Sequence, residues 1–70
     1  MSDKKEANST KVLNELIDKG QPPDYMAQEY SSKGEVYTVF AWKCGTRLRV
    51  ERDTRAEYLE TLDRFREFWA

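Results

Sequence analysis

Histidine is absent from this 70-residue chain and cysteine occurs once, which closes off two kinds of chemistry at the outset. Cys44 alone can form no internal disulfide, and a zinc site built without histidine would need carboxylates and a single thiolate. Neither of the staples that small domains commonly use is on offer. Glycine (three) and proline (two) are scarce as well, so sharp turns must fall where those few residues stand. No apolar run approaches the roughly 18 residues of a membrane span, and Met1 to Asn8, MSDKKEAN, lack the apolar stretch of a signal peptide. No membrane association is expected. A free thiol and no export signal make the reducing cytoplasm the expected compartment.

Charge of one sign is lacking too. Twelve Lys and Arg oppose 13 Asp and Glu, for a formal net charge of -1, so there is no global attraction to nucleic acid or anionic lipid. Any such binding must come from a local patch. With 39% hydrophobic residues, one small domain is the limit. A chain of this length buries only about 60% of the surface that its unfolded form exposes. A substrate-enclosing cleft has little room, no small-molecule substrate is evident, and no Gly-rich phosphate loop or other cofactor motif is present.

What is there has a clear order. Asn8, Ser9 and Thr10 precede Val12, Leu13, Leu16 and Ile17, the spacing of one helix face, and any of the three polar residues can cap the first turn. Gly20 followed by Pro22 and Pro23 ends that helix, which is expected over about Thr10 to Lys19 behind a flexible tail at residues 1–8. Tyr25 to Tyr30 alternates as a strand. Ser31 to Gly34 forms a turn, and Val36 to Cys44, VYTVFAWKC, is dense in β-branched and aromatic residues and should be the central strand. Gly45 and Thr46 then reverse the chain into an edge strand, Arg47 to Arg52. There Leu48 and Val50 point one way while Arg47, Arg49 and Glu51 point the other. Thr54 and Glu57 have the T-x-x-E spacing of a capping box, and Tyr58, Leu59, Leu62, Phe65 and Trp69 continue as a helical stripe to about Ala70. The expected fold is α+β in the order α-β-β-β-α: a three-stranded antiparallel sheet with two helices packed on one face, forming one domain over residues 9–70.

This order, with the segment VLNELIDKGQPPDYMAQEY from Val12 to Tyr30, resembles the double-stranded RNA-binding domain. That family begins with a short helix, a Pro-containing turn and a Tyr-bearing first strand. The likeness extends over roughly residues 9–70 and includes Val36 to Val39, the turn at Gly45 and a second helix that follows the third strand after one or two polar residues. The family contacts RNA through its first helix, the loop between strands 1 and 2, and a Lys-rich start of the second helix. The first helix does carry Glu15, an acidic residue as is often found there. The loop, Ser31 to Glu35, lacks the family's Gly-Pro-x-His pattern and offers only Lys33. The second helix begins Thr54, Arg55, Ala56, Glu57, Tyr58 where the family would show several lysines. Phosphate neutralisation supplies much of the affinity, so the resemblance implies weak or absent duplex RNA binding. Members without the lysines often serve as protein-interaction or dimerisation modules.

The basic residues that do exist are clustered. Lys43, Arg47, Arg49, Arg52 and Arg55 lie within thirteen residues that also hold Glu51 and Asp53, a local charge of +3. If Arg47 and Arg49 project from the open sheet face near Tyr37 and Lys43, they could grip phosphate or an acidic protein surface. Equally, they could form a solvated strand face, paired with Glu35, Glu51 and other carboxylates, that keeps an edge soluble. Nine aromatics are more than two short helices can cover, so Tyr37, Val39 and Ala41, or the terminal Phe68 and Trp69, are candidates for an interface. Cys44 has no histidine to act as its base and reads as a small structural residue, buried or half-exposed.

The function expected from these residues is non-catalytic. The chain should be a regulatory interaction module that binds a protein partner or itself, as adaptor, inhibitor or dimerisation factor, through Tyr37, Lys43, Arg47, Arg49, Arg52, Phe68 and Trp69. The competing expectation is binding of double-stranded RNA or another nucleic acid through Lys33, Lys43, Arg47, Arg49, Arg52 and Arg55. Neither requires a metal or a cofactor.

Overall fold

Leu16 and Ile17 close the first helix with their own carbonyls, and the computed structural model, which describes residues 8–70, shows how. Gln21 N–H donates to Leu16 O (2.9 Å) and Gly20 N–H to Ile17 O (3.0 Å), with Gly20 at φ +74°. This paired closure requires a left-handed residue after the helix, and glycine adopts that conformation at little cost. The helix, α1, is Asn8–Asp18, beginning two residues earlier and ending one residue sooner than its apolar spacing predicts. Of the expected tail, Asn8 belongs to α1, and the remainder lies outside the described residues.

Three strands follow in sequence order as an antiparallel meander: β1, Tyr25–Tyr30; β2, Val36–Ala41; and β3, Arg47–Val50. β2 is central, as its β-branched and aromatic content predicts, but it stops at Ala41 rather than Cys44. Trp42 N–H already bonds Thr46 O (3.0 Å) there, and Gly45 (φ +99°) bonds back to Trp42 O (2.9 Å), which closes a three-residue loop at residues 43–45. β3 is shorter than expected as well. Arg52 takes φ +61°, a left-handed conformation that removes it from the strand and turns the chain toward the last helix.

That helix, α2, is Arg55–Trp69. Its start is the predicted capping box. Glu57 N–H donates to the Thr54 hydroxyl (3.1 Å), and Thr54 N–H donates to the Glu57 carboxylate (2.8 Å), so two otherwise orphaned amides are satisfied.

Both helices lie on the same side of the sheet, giving the α+β architecture expected. Leu13, Met26 and Phe40 form the buried centre, with Val12, Leu16, Ile17, Trp42, Val50, Tyr58, Leu62 and Phe65 packed around them. The strand register explains the choice. Met26, Phe40 and Leu48 form one cross-strand row, and Gln28, Thr38 and Val50 the next, both directed at the helices. Leu59, placed by its spacing in the apolar stripe of α2, is instead 43% exposed.

Two buried contacts are polar. Where α1 crosses α2, the hydroxyls of Ser9 and Thr10 both meet Thr61 Oγ1, which in turn donates to Glu57 O (2.9 Å). Ser9 and Thr61 are fully buried. Small hydroxyl side chains let the helices approach closely, and each finds a partner. In the central strand, Thr38 donates to the carboxylate of Asp53, which lies buried just ahead of α2.

Candidate functional site

The sheet face turned away from the helices carries Tyr25, Ala27 and Glu29 from β1, Tyr37, Val39 and Ala41 from β2, and Arg47 and Arg49 from β3. None of the described elements covers it. Three of the residues expected at a binding site, Tyr37, Arg47 and Arg49, are therefore brought together here by strand parity.

Their geometry is ordered. Arg47 reaches from β3 across the central strand to Glu29 on β1, with Nη2 3.1 Å from the carboxylate. Arg49 lies over the Tyr37 ring, its guanidinium carbon 4.9 Å from the centroid. The Tyr37 hydroxyl donates to Glu35 (3.2 Å). Val39 sits beneath these side chains and is only 3% exposed although no helix covers it. Glu29, Val39, Arg47 and Arg49 line a shallow depression of about 250 Å³. This sheet face is thus a sealed lattice of charge and aromatic surface rather than a bare apolar patch. Among the described residues, Arg47 with Glu29 is the one side-chain ion pair. The pairing of arginines with Glu35 and Glu51 does not form; Glu35 accepts from Tyr37 instead.

The other expected residues lie elsewhere. Lys43 is in the β2–β3 loop, where its backbone N–H donates to Asp24 (2.8 Å). Arg52 is exposed in the turn after β3, outside the strand expected to contain it. Arg55 belongs to the helical side: its guanidinium bonds Gln28 Oε1 (2.5 Å) and lies 6.0 Å from the Tyr58 ring. Lys33 is exposed in the β1–β2 loop. Phe68 and Trp69 form a separate aromatic corner at the end of α2. Their rings meet edge to face at 5.2 Å, and Trp69 Nε1 donates to Pro23 O (3.1 Å). They remain 37% and 50% exposed, but they do not share the open sheet face.

The helical side also carries a groove that local sequence patterns do not reveal. Leu16, Pro22, Trp42 and Leu48, with neighbours from the β2–β3 loop, line a groove of about 550 Å³ on the helical side, along β3. Leu48 is 37% exposed there because β3 is an edge strand and none of the described elements lies beyond it. The parity of Leu48 is visible in the sequence, but the groove depends on where α1 ends. Cys44 also borders this groove and is exposed rather than buried or half-exposed. Its Sγ lies 3.2 Å from the Thr46 hydroxyl. That hydrogen bond, then the Thr46 backbone, hold the thiol below its ordinary range. No histidine exists to act as its base.

Among the described residues, no cluster of three Cys, Asp or Glu side chains could hold a metal ion, and no helix is long and apolar enough to cross a membrane. Compared with known proteins, the chain matches no family model, no curated protein and no solved structure.

Proposed function

We propose that this chain is a non-catalytic, regulatory protein-interaction module, a divergent relative of the double-stranded RNA-binding domain in which the duplex-binding surface is lost. It acts as an adaptor, inhibitor or dimerisation factor in the cytoplasm, where an exposed Cys44 stays reduced. The observation that carries this reading is the open sheet face, where Arg49 stacked on Tyr37 and Arg47 tied to Glu29 present aromatic and cationic groups in fixed positions. Arginine and tyrosine held in this way are the side chains most often found at the centre of protein interfaces.

The competing reading, nucleic-acid binding, is disfavoured by placement. Of the six cations it would use, Arg55 is turned to the helical side, Lys43 and Arg52 lie in separate turns, and Lys33 stands alone in its loop. A duplex backbone needs several cations facing one way, because each neutralised phosphate adds to affinity.

The test is retention of a partner from lysate of the source cells on immobilised wild type and on Arg47→Glu with Arg49→Glu. Both arginines are exposed, so the double variant should fold with an unchanged circular dichroism spectrum. A protein that is retained by wild type, survives nuclease treatment and is lost on the variant supports the reading. Retention that vanishes with nuclease sinks it in favour of nucleic acid.

A further inference from the structure

We infer that the β3 edge accepts an extended segment of a partner protein as a fourth strand, and that this segment alternates acidic and apolar residues. The inference rests on the protein-binding reading above and names the partner's chemistry.

Two sets of hydrogen bonds fix which backbone groups face outward. Trp42 N–H bonds Thr46 O, so Trp42 and Thr46 are a hydrogen-bonded pair. In an antiparallel ladder such pairs alternate with non-bonded ones. Phe40 with Leu48 and Thr38 with Val50 are therefore bonded, whereas Ala41 with Arg47 and Val39 with Arg49 are not. The β1 side agrees independently: Ser31 N–H bonds Glu35 O, which makes Ala27 with Val39 and Tyr25 with Ala41 the bonded pairs there. The N–H and C=O groups of Arg47 and Arg49 consequently point away from β2, into the space beyond the edge.

An added strand would bond at those two residues. Its side chains opposite Arg47 and Arg49 would lie on the open face, directly beside two guanidinium groups. The residue between them would stand opposite Leu48 on the helical side, above the groove lined by Leu16, Pro22, Trp42 and Leu48. The backbone, the charge on one face and the apolar groove on the other thus specify one tripeptide pattern: acidic, apolar, acidic. Strand addition of this kind takes affinity from the main chain and specificity from alternate side chains.

A second copy of this chain does not meet the pattern. Antiparallel pairing of β3 with β3 sets arginine opposite arginine, which is repulsive. Pairing of β3 with the β1 edge of another copy would use the outward groups of Met26, Gln28 and Tyr30, none of which carries a negative charge. The partner is a different protein.

The experiment is a nuclear magnetic resonance titration of the full chain with a short capped peptide alternating glutamate and valine. Two comparison peptides are used, one of the same composition with its glutamates contiguous and one with lysine for glutamate; duplex RNA is the third comparison. The alternating peptide should shift the amide signals of Arg47, Leu48 and Arg49, slow the solvent exchange of the Arg47 and Arg49 amides, and move the Trp42 indole signal. The contiguous peptide should bind about tenfold more weakly, and Arg47→Glu with Arg49→Glu should reverse the preference toward the lysine peptide. Shifts confined to Tyr25 and Tyr37 with unprotected β3 amides would overturn strand addition while leaving a sheet-face interface standing. Absence of binding by the alternating peptide would overturn it too, and the lysate test would then decide the broader reading separately. Arg47 and Arg49 amides already protected in a dimer, or displacement of the peptide by RNA, would overturn the choice of partner.

Discussion

Replacing Thr38 by valine tests whether the buried hydroxyl beneath α2 holds this fold together. Valine matches threonine in shape and suits a central strand, so the substitution removes a hydroxyl and little else. Thr38 is fully buried and donates to the carboxylate of Asp53, itself 2% exposed, whose other oxygen, Oδ1, has no hydrogen-bond partner. Without Thr38 the carboxylate would be buried with no side-chain donor, at a cost of about 1.5–3 kcal/mol for a charged acceptor. Burial of the new methyl group returns about 0.8 kcal/mol. The net loss is about 1–2 kcal/mol, which for a domain of this size lowers Tm by roughly 5–15 °C. Urea unfolding followed by circular dichroism should show a lower midpoint with an unchanged slope. The decisive comparison is the same substitution in an Asp53→Ala background, where the carboxylate is gone and the loss should shrink to near zero. An equal loss in both backgrounds would refute the reasoning and place the cost in strand packing.

Phe40→Ala removes the largest fully buried side chain and should cost about 3–5 kcal/mol, enough to leave much of a chain this small unfolded at room temperature; a folded spectrum would mean that the core lies elsewhere. Gly45→Ala should cost about 1–2 kcal/mol by thermal unfolding. Its φ is +99° and nothing lies within 4 Å of the added Cβ, so the cost is in the backbone alone, and an unchanged Tm would exclude the left-handed turn. Thr46→Val removes the hydroxyl that stabilises the Cys44 thiolate, so the thiol pKa should rise and alkylation by iodoacetamide near neutral pH should slow. The rate profile should move to higher pH, and an unmoved profile would show that Thr46 does not tune the thiol.

The readable parts of this fold are those set by neighbours in sequence. Gly20 before two prolines ends α1, Thr54 with Glu57 starts α2, and the residues of β2 mark the central strand; each depends on contacts within a few positions. Strand ends were harder to read. Arg52 leaves β3 because the chain must turn left-handed to reach α2, a demand that arginine's ordinary preferences do not signal. The helix crossing was hidden for another reason: Ser9 and Thr10 look like caps, yet their hydroxyls are spent on Thr61, fifty-two and fifty-one positions away. Strand parity placed Tyr37, Arg47 and Arg49 together, since alternation is a local property. It could not show that Arg55 turns to Gln28, or that Trp69 anchors on Pro23, because those contacts join elements remote in the chain.

The ordering of the open face bears on how a partner could use it. Arg47 is 60% exposed and Glu29 41%, and ion pairs this exposed contribute at most about 1 kcal/mol to folding. Exchange of Glu29 for a partner's carboxylate would therefore cost little. The Arg49 guanidinium, stacked on Tyr37 and not paired with a carboxylate, already occupies a restricted set of rotamers, so less conformational freedom is lost when an acidic group arrives. Stability and recognition are thus divided between the two faces of one sheet. Phe40, Thr38 and Met26 hold the helical side, where substitutions should lower the stability of the chain. Arg47 and Arg49 stand on the other, where charge reversal should leave Tm within a few degrees of wild type while binding is lost. A double charge reversal that unfolded the domain would contradict this division, because it would make the arginines part of what holds Val39 and the sheet in place.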